Sequence, residues 1–251
     1  MKQSPFLPAE DPLYPSSDGL PLAENDWQLE AILDAVGALK IRFGNRPDVY
    51  VSGDLLIYYE EGNPRKSVAP DVFVVFGAAD HKRNVYKLWE EPKAPDIVLE
   101  VASENTWKED LGRKRALYAE LGVREYWLFD PKDEYFDPPL QGLVLREGAY
   151  RALPALVDGG ARTIRSDVLG LDLRADRGVL RFRDPATGEC LKSHAEEWAA
   201  RAELAKSLAE ERAARADMAE ALEEERSARD EASAALRSAE ARIAELEARL
   251  R

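Results

Sequence analysis

Hydrophobic and polar positions follow two rhythms along this chain, and the change comes near Cys190. Upstream, Trp27, Ile32, Leu33, Val36, Leu39 and Ile41 recur at roughly helical spacing. They predict a helix over Glu24 to Arg42, capped by Asn25 or Asp26 and stopped by Gly44-Asn45. Val49 to Tyr59 is rich in β-formers and predicts a strand broken at Gly53-Asp54, followed by a turn at Glu61-Gly62-Asn63-Pro64. Val68 to Phe76 is the next strand. After a polar excursion, Asp96 to Ala102 is a third, almost continuously apolar and therefore central. A helix over Thr106 to Leu121, closed by Gly122, leads to a fourth strand, Arg124 to Asp130. The order α-β-β-β-α-β predicts an α/β fold with a mixed central sheet. The second helix is a crossover, so the last two strands are expected to be parallel. From Gln141 to Leu191, short β-type runs between turns predict a small β extension.

After Cys190, Ala, Glu and Arg dominate and neither Gly nor Pro occurs, the composition of a long helix. Leu204, Leu208, Met218, Leu222, Ala232, Leu236, Ala239, Ile243, Leu246 and Leu250 fit a seam spaced alternately by four and three. Glu211, Arg215, Glu225 and Arg229 interrupt it. Two readings stand: a solvated single helix laced with charge pairs, or a coiled coil that makes the chain a homo-oligomer, for instance a dimer through this C-terminal helix. Three regions follow: a flexible arm over 1–23, a globular core with its β extension over 24–191, and a helical tail over 192–251.

Composition narrows the chemistry. A single cysteine excludes an internal disulfide and a thiolate zinc cluster. Two histidines, His81 and His194, leave little for a histidine metal site or a Ser-His-Asp triad. No signal peptide and no membrane-length apolar run is read, and a reducing cytoplasm is the expected compartment. The net charge of −13 belongs mostly to the part before Cys190. From Cys190 onward, 11 Lys and Arg stand against 15 Asp and Glu, a net of −4 that leaves −9 upstream. This argues against broad coating of nucleic acid. Local basic runs remain at Arg65-Lys66, His81-Lys82-Arg83 and Arg113-Lys114-Arg115.

Two carboxylates sit where a carboxylate is costly. Asp71 opens one apolar run, and Glu100 lies in the middle of another, on one face with Asp96, Val98 and Ala102. Alone, each is explained by an ion pair or a loop end. Together, on adjacent strands, they are placed to share a hard cation such as Mg²⁺. Such an ion polarises a phosphoryl oxygen, and a nearby lysine offsets developing charge. Lys114 shares a helix face with Asp110 and Tyr118, although Asp110 and Lys114 also read as an ordinary intrahelical ion pair.

Pro70-Asp71, the segment Glu100-Val101-Ala102-Ser103, the spacing of Asp110, Lys114 and Tyr118, and the run Gly122 to Asp130 together resemble the Uma-two family, within the PD-(D/E)xK nuclease superfamily. The resemblance spans roughly Asn25 to Leu191. It implies a restriction-endonuclease-like fold and an endonuclease that hydrolyses DNA phosphodiester bonds with Mg²⁺ or Mn²⁺. Asp71, Glu100 and the backbone carbonyl of Val101 would be metal ligands. The superfamily's lysine two residues after Glu100 is replaced by Ala102. The resemblance therefore implies a migrated lysine, Lys114; Asp110 either supports it or binds a second ion, and Asp96, after a proline near the strand entrance, is a runner-up ligand. The rival expectation, motivated by the acidic charge and the missing strand lysine, is a catalytically inactive nuclease-fold protein that scaffolds partners through its surface and tail.

Overall fold

Asn25 Oδ1 accepts the backbone amide of Gln28 and opens α1 (Asp26–Phe43). The computed structural model describes residues 13–17, 19 and 21–249. The face that α1 buries is Gln28, Ile32, Ala35, Leu39 and Phe43. Trp27, Leu33 and Ile41, counted in the apolar stripe from sequence, are exposed, so the buried stripe runs in a different phase.

The strand elements follow as β1 (Val49–Ser52), β2 (Ile57–Tyr58), β3 (Ser67–Val68), β4 (Val72–Phe76), β5 (Tyr86–Lys87) and β6 (Ile97–Val101). The crossover is a composite: α2 (Trp107–Glu109), a π-helical turn (Asp110–Lys114) and α3 (Arg115–Glu120). Then come β7 (Glu125–Phe129), β8 (Leu140–Arg146), β9 (Ala149–Ala152), β10 (Ala155–Asp158), β11 (Ala161–Ser166), β12 (Leu171–Asp176), β13 (Val179–Arg183) and α4 (His194–Arg249).

The main sheet has the order β1-β4-β6-β7-β8-β9. Within it β6 and β7 are parallel, as a helical crossover requires, and the other neighbours are antiparallel. Helix α1, strands β1, β4 and β6, the composite helix and β7 give the α-β-β-β-α-β order in a mixed α/β fold. Two expectations are corrected, and a third, the break at Gly53-Asp54, holds. The run Val68 to Phe76 is two strands, because Pro70 offers no backbone donor and restricts Ala69. Strand β3 joins β2 and β5 in a small sheet, while β4 enters the main one. Val49 to Tyr59 likewise splits between two sheets across Gly53 and Asp54, whose φ of 48° turns the chain. The β extension is larger than expected: β8 and β9 widen the main sheet, and β10 to β13 form a separate four-stranded sheet.

One face of the main sheet packs against α1 and the β10–β13 sheet through Val51, Val74, Leu99, Trp127, Ile164 and Leu173. The other packs Phe73, Val98, Tyr126 and Leu128 against Tyr118 of the composite helix and the small sheet. Trp127 lies over Gly142 on the paired strand, where an added Cβ would come within 2.7 Å of the indole. Of the arm expected over 1–23, residues 1–12, 18 and 20 lie outside the described residues. Tyr14 is buried against Tyr58 and Trp89, and its hydroxyl accepts the Gly62 amide at 2.7 Å. Nothing in the composition of the arm pointed to this anchor. The chain divides into two units, Met1–Ala195 and Glu196–Arg251. At 1.5 Å per residue, the 56-residue helix α4 is about 84 Å long. Leu250 lies outside the described residues. Among the described residues no helix is long and apolar enough to cross a membrane.

Glu125 fastens the two large sheets together. It is buried on β7 and accepts from Ser166 Oγ at 2.5 Å, Val168 N at 3.2 Å and Trp127 Nε1 at 3.1 Å. Glu125→Ala strands three donors, two of them buried, and is expected to cost on the order of 3 kcal/mol in urea unfolding. A loss below about 1 kcal/mol would mean that water or a repacked side chain satisfies them.

Candidate active site

Strand pairing brings the two sequence-predicted carboxylates together. Val72 stands opposite Leu99, which makes Asp71 and Glu100 cross-strand neighbours at the end of β4 and β6. Asp71 Oδ2 accepts the Val101 amide at 2.7 Å, and the Asp71 amide points back to Glu100 Oε2 at 3.4 Å. Glu100 is fully buried. Its Oε1 accepts the Tyr118 hydroxyl at 2.6 Å and its Oε2 meets Lys114 Nζ at 2.9 Å. Lys114 Nζ is also 2.9 Å from Asp110 Oδ1.

The π-helical turn accounts for this convergence. It widens the helix between Asp110 and Lys114, where the sequence predicted unbroken α-helix, and such turns recur at functional sites. The backbone carbonyl of Asp110 accepts the buried Tyr126 hydroxyl at 2.9 Å, so the altered turn is held from the sheet. Asp110, Lys114 and Tyr118 then all reach towards Glu100.

Three carboxylates and one ammonium leave a surplus of two negative charges when all are ionised. Both carboxyl groups of Asp110 and Asp71 respond. Burial, then the Glu100 charge, pushes Asp110 up to about 7, and the same two causes raise Asp71 well above the usual carboxylate range. Lys114 is raised because Glu100, Asp110 and Asp71 outweigh the burial that opposes its charge, so it stays an ammonium at neutral pH. Tyr118 is raised by burial and by Glu100, and it remains a hydroxyl donor. Asp71 and Lys114 keep some contact with solvent, whereas Glu100 and Asp110 are sealed. The cluster therefore opens on the side of Asp71 and Lys114.

The donors suit a hard cation. All are oxygens, and the Asp110 carboxylate is buried with no well-aligned hydrogen-bond donor at either oxygen. Among the described residues, no group of three or more His, Cys, Asp or Glu side chains is arranged to hold a metal. The acidic side chains brought together are Asp71, Glu100 and Asp110, with Lys114 between Glu100 and Asp110. Asp96 is a correction. It lies four residues before Glu100, about 13 Å along the strand, and pairs with Phe76 N at 2.8 Å, Lys93 Nζ at 2.7 Å and Arg124 at 3.5 Å. It fastens the far end of the strand and is not part of the cluster.

Residues 18–176 match the Uma2 family, described as "Putative restriction endonuclease". The chain belongs to the Uma2 family. A comparison with curated proteins gave no match. Among solved structures, this Uma2 protein is similar to a "putative nuclease belonging to DUF820" from Anabaena variabilis. That likeness has a TM-score of 0.39 and 14% identity, over 53% of this chain and 73% of the other. Lys114 of the Uma2 chain is the member of the basic runs that reaches the cluster. Arg83 instead pairs with Glu91 at 2.6 Å and lies over Tyr50, and Arg113 pairs with Glu109.

Sequence reasoning missed Gln28 and Gly53. Gln28 is buried on α1, and its Nε2 donates to the Val101 carbonyl at 3.2 Å, while its Oε1 accepts the Glu24 amide. A polar residue on a buried helical stripe was the available signal. Gly53 packs on Asp71: an added Cβ would lie 2.3 Å from the Asp71 carbonyl oxygen and 3.0 Å from Val36. Gly53→Ala is expected to cost about 1–3 kcal/mol in urea unfolding, because backbone, not a flexible side chain, must give way. An unchanged midpoint would show that β1 shifts freely.

A pH dependence follows from Asp110. Between about pH 4 and about pH 7 the native chain holds a proton there that the unfolded chain has released, so metal-free stability falls as pH rises. Asp110→Asn removes this component. In chelator, the melting temperature of the variant minus that of wild type should therefore increase from about pH 5 to about pH 8. A flat difference would mean that Asp110 titrates like an ordinary carboxylate.

Proposed function

We propose that the chain is a Mg²⁺- or Mn²⁺-dependent endonuclease that hydrolyses DNA phosphodiester bonds. The observation that carries this reading is the surplus of buried negative charge on an oxygen-only donor set at the open end of β4 and β6. Family membership supports nucleic acid as the substrate. Asp71, Glu100 and the Val101 carbonyl would hold the cation, which when bound supplies Lewis-acid polarisation of a phosphoryl oxygen and lowers the pKa of a water.

The chain's own groups do the remaining work. Tyr118 fixes one oxygen of Glu100 and leaves the other turned towards Asp71 and Lys114. Lys114, held as an ammonium, acts as a donor to the charge that develops on the phosphoryl group rather than as a proton acceptor. Asp110 positions Lys114 through their 2.9 Å contact. Gln28 holds the Val101 carbonyl from the other face of the strand. The rival reading, an inactive nuclease fold serving as an interaction module, draws support from the net charge of −13 and from Lys114 being engaged by two carboxylates.

Cleavage of plasmid and oligonucleotide substrates in Mg²⁺ or Mn²⁺ tests this. Asp71→Ala and Glu100→Ala should abolish cleavage, and Lys114→Ala should lower it by about 100-fold or more. Circular dichroism of each variant shows whether it folds, and Lys114→Arg keeps the charge where Lys114→Ala fails. Chelator should stop the wild type. Cleavage surviving all three alanine variants would sink the assignment. No cleavage together with no Mn²⁺ binding by calorimetry would overturn the metal-nuclease assignment and favour the interaction module.

A further inference from the structure

The helix α4 carries its seam in the open: Leu204, Leu208, Met218, Leu222, Leu236 and Ile243 are 45–75% exposed. Single exposed apolar residues are ordinary, but six on one seam are an unpartnered face. The charged interruptions show what covers it. In heptad terms Leu208, Arg215, Leu222, Arg229 and Leu236 occupy one core position, and Leu204, Glu211, Met218, Glu225 and Ala232 the other. Both arginines thus fall in the first set and both glutamates in the second.

From this we infer that α4 pairs with α4 of a second copy as an antiparallel two-stranded coiled coil, with the two-fold axis level with Glu220. In an antiparallel pair the two core positions face each other. About that axis Glu211 meets the partner's Arg229, and Arg215 meets the partner's Glu225. Leu204 meets the partner's Leu236, Leu208 the partner's Ala232, and Met218 the partner's Leu222. Between Leu204 and Leu236 every charged seam residue finds its opposite and the other layers are apolar, while in the outer layers Arg201 faces the partner's Ala239 and Glu197 the partner's Ile243. The symmetry closes the pair, because each contact occurs twice. Glu211 and Arg215 are already 2.8 Å apart within one helix, so two such pairs form a four-charge box of alternating sign.

Other arrangements are worse. A parallel, in-register pair sets Glu211, Arg215, Glu225 and Arg229 each against its own copy, four layers of like charge. Shifting the antiparallel register by one heptad puts Glu211 against Leu222 or Leu236. A shift by two heptads towards the N-terminus matches charge again, but it shortens the overlap of the two helices from residues 194–246 to 194–232 and takes Leu236 away from the partner's Leu204. The proposal does not depend on the nuclease reading.

The test uses the full chain. Sedimentation equilibrium should give a dimer for wild type. Glu211→Arg should weaken it by at least about tenfold, since like charge then faces the partner's Arg229. The double variant Glu211→Arg with Arg229→Glu should restore it. The double variant keeps like charges four apart within each helix, so a purely intrahelical effect would not be rescued. Orientation is read with spin labels in a Cys190→Ser background. Labels at Ala241→Cys should lie about 60 Å from their counterparts, and labels at Glu220→Cys under about 30 Å. Short distances at both positions would establish a parallel pair and overturn the proposal. A monomer at all concentrations, or a single variant indistinguishable from wild type, would overturn it equally.

Discussion

A glutamate with no access to water, near the end of a central strand, is the constraint on which the rest of this structure depends. A buried carboxylate is tolerable only with donors at each oxygen, and none of its strand neighbours supplies a side-chain donor. Glu100 obtains them from the composite helix, as the Tyr118 hydroxyl and the Lys114 ammonium. That requirement fixes the distance of the helix from the sheet and the face it presents. It also explains the π-helical turn, which lets Asp110 approach from the same side and counter Lys114. The second carboxylate, Asp71, spends one oxygen on the Val101 amide across the strand pair, so the two acids are locked to each other by backbone.

The scaffold around this end is correspondingly stiff. Helix α1 reaches the strand from the opposite face through Gln28, so the peptide after Glu100 is gripped from both sides of the sheet. At the other end of β6, Asp96 gathers Lys93, Arg124 and the Phe76 amide and stops the strand from sliding. Two acids on one strand thus have opposite fates. One is saturated by cations and an amide, whereas the other lies in a cluster with more carboxylates than cations.

Much of this was legible in the amino-acid sequence, for identifiable reasons. The long apolar runs at β4, β6 and β7 and the Gly122 stop after the crossover were strong signals, and they carry the α-β-β-β-α-β order. Glu100 and Asp71 stood out because charge interrupts or borders those runs. The second sheet was harder. Strand β11, Ala-Arg-Thr-Ile-Arg-Ser, offers only Ala161 and Ile164 as apolar residues to read. The breaks at Gly53-Asp54 and Pro70 sit inside β-rich runs, and which sheet each half joins is decided by tertiary pairing. The π-helical turn left no mark in the spacing, because Asp110, Lys114 and Tyr118 share a face in an α-helix too. Asp96 shares the face of Glu100 by periodicity, but periodicity carries no information about distance along the strand.

The π-helical turn has a consequence for how this site is inherited. Such a turn holds one residue more than the α-helix around it, so its removal leaves a helix of normal pitch and unchanged composition. Losing one residue at Leu111 or Gly112 would close the turn as α-helix and set Asp110 three residues from Lys114 instead of four, which shifts its carboxyl relative to the ammonium it now meets at 2.9 Å. No residue named in the site would have changed. Two related chains that agree at every one of these side chains but differ by a single gap here would therefore not share the same geometry between Asp110 and Lys114. For this helix, residue count is as much a determinant of chemistry as residue identity.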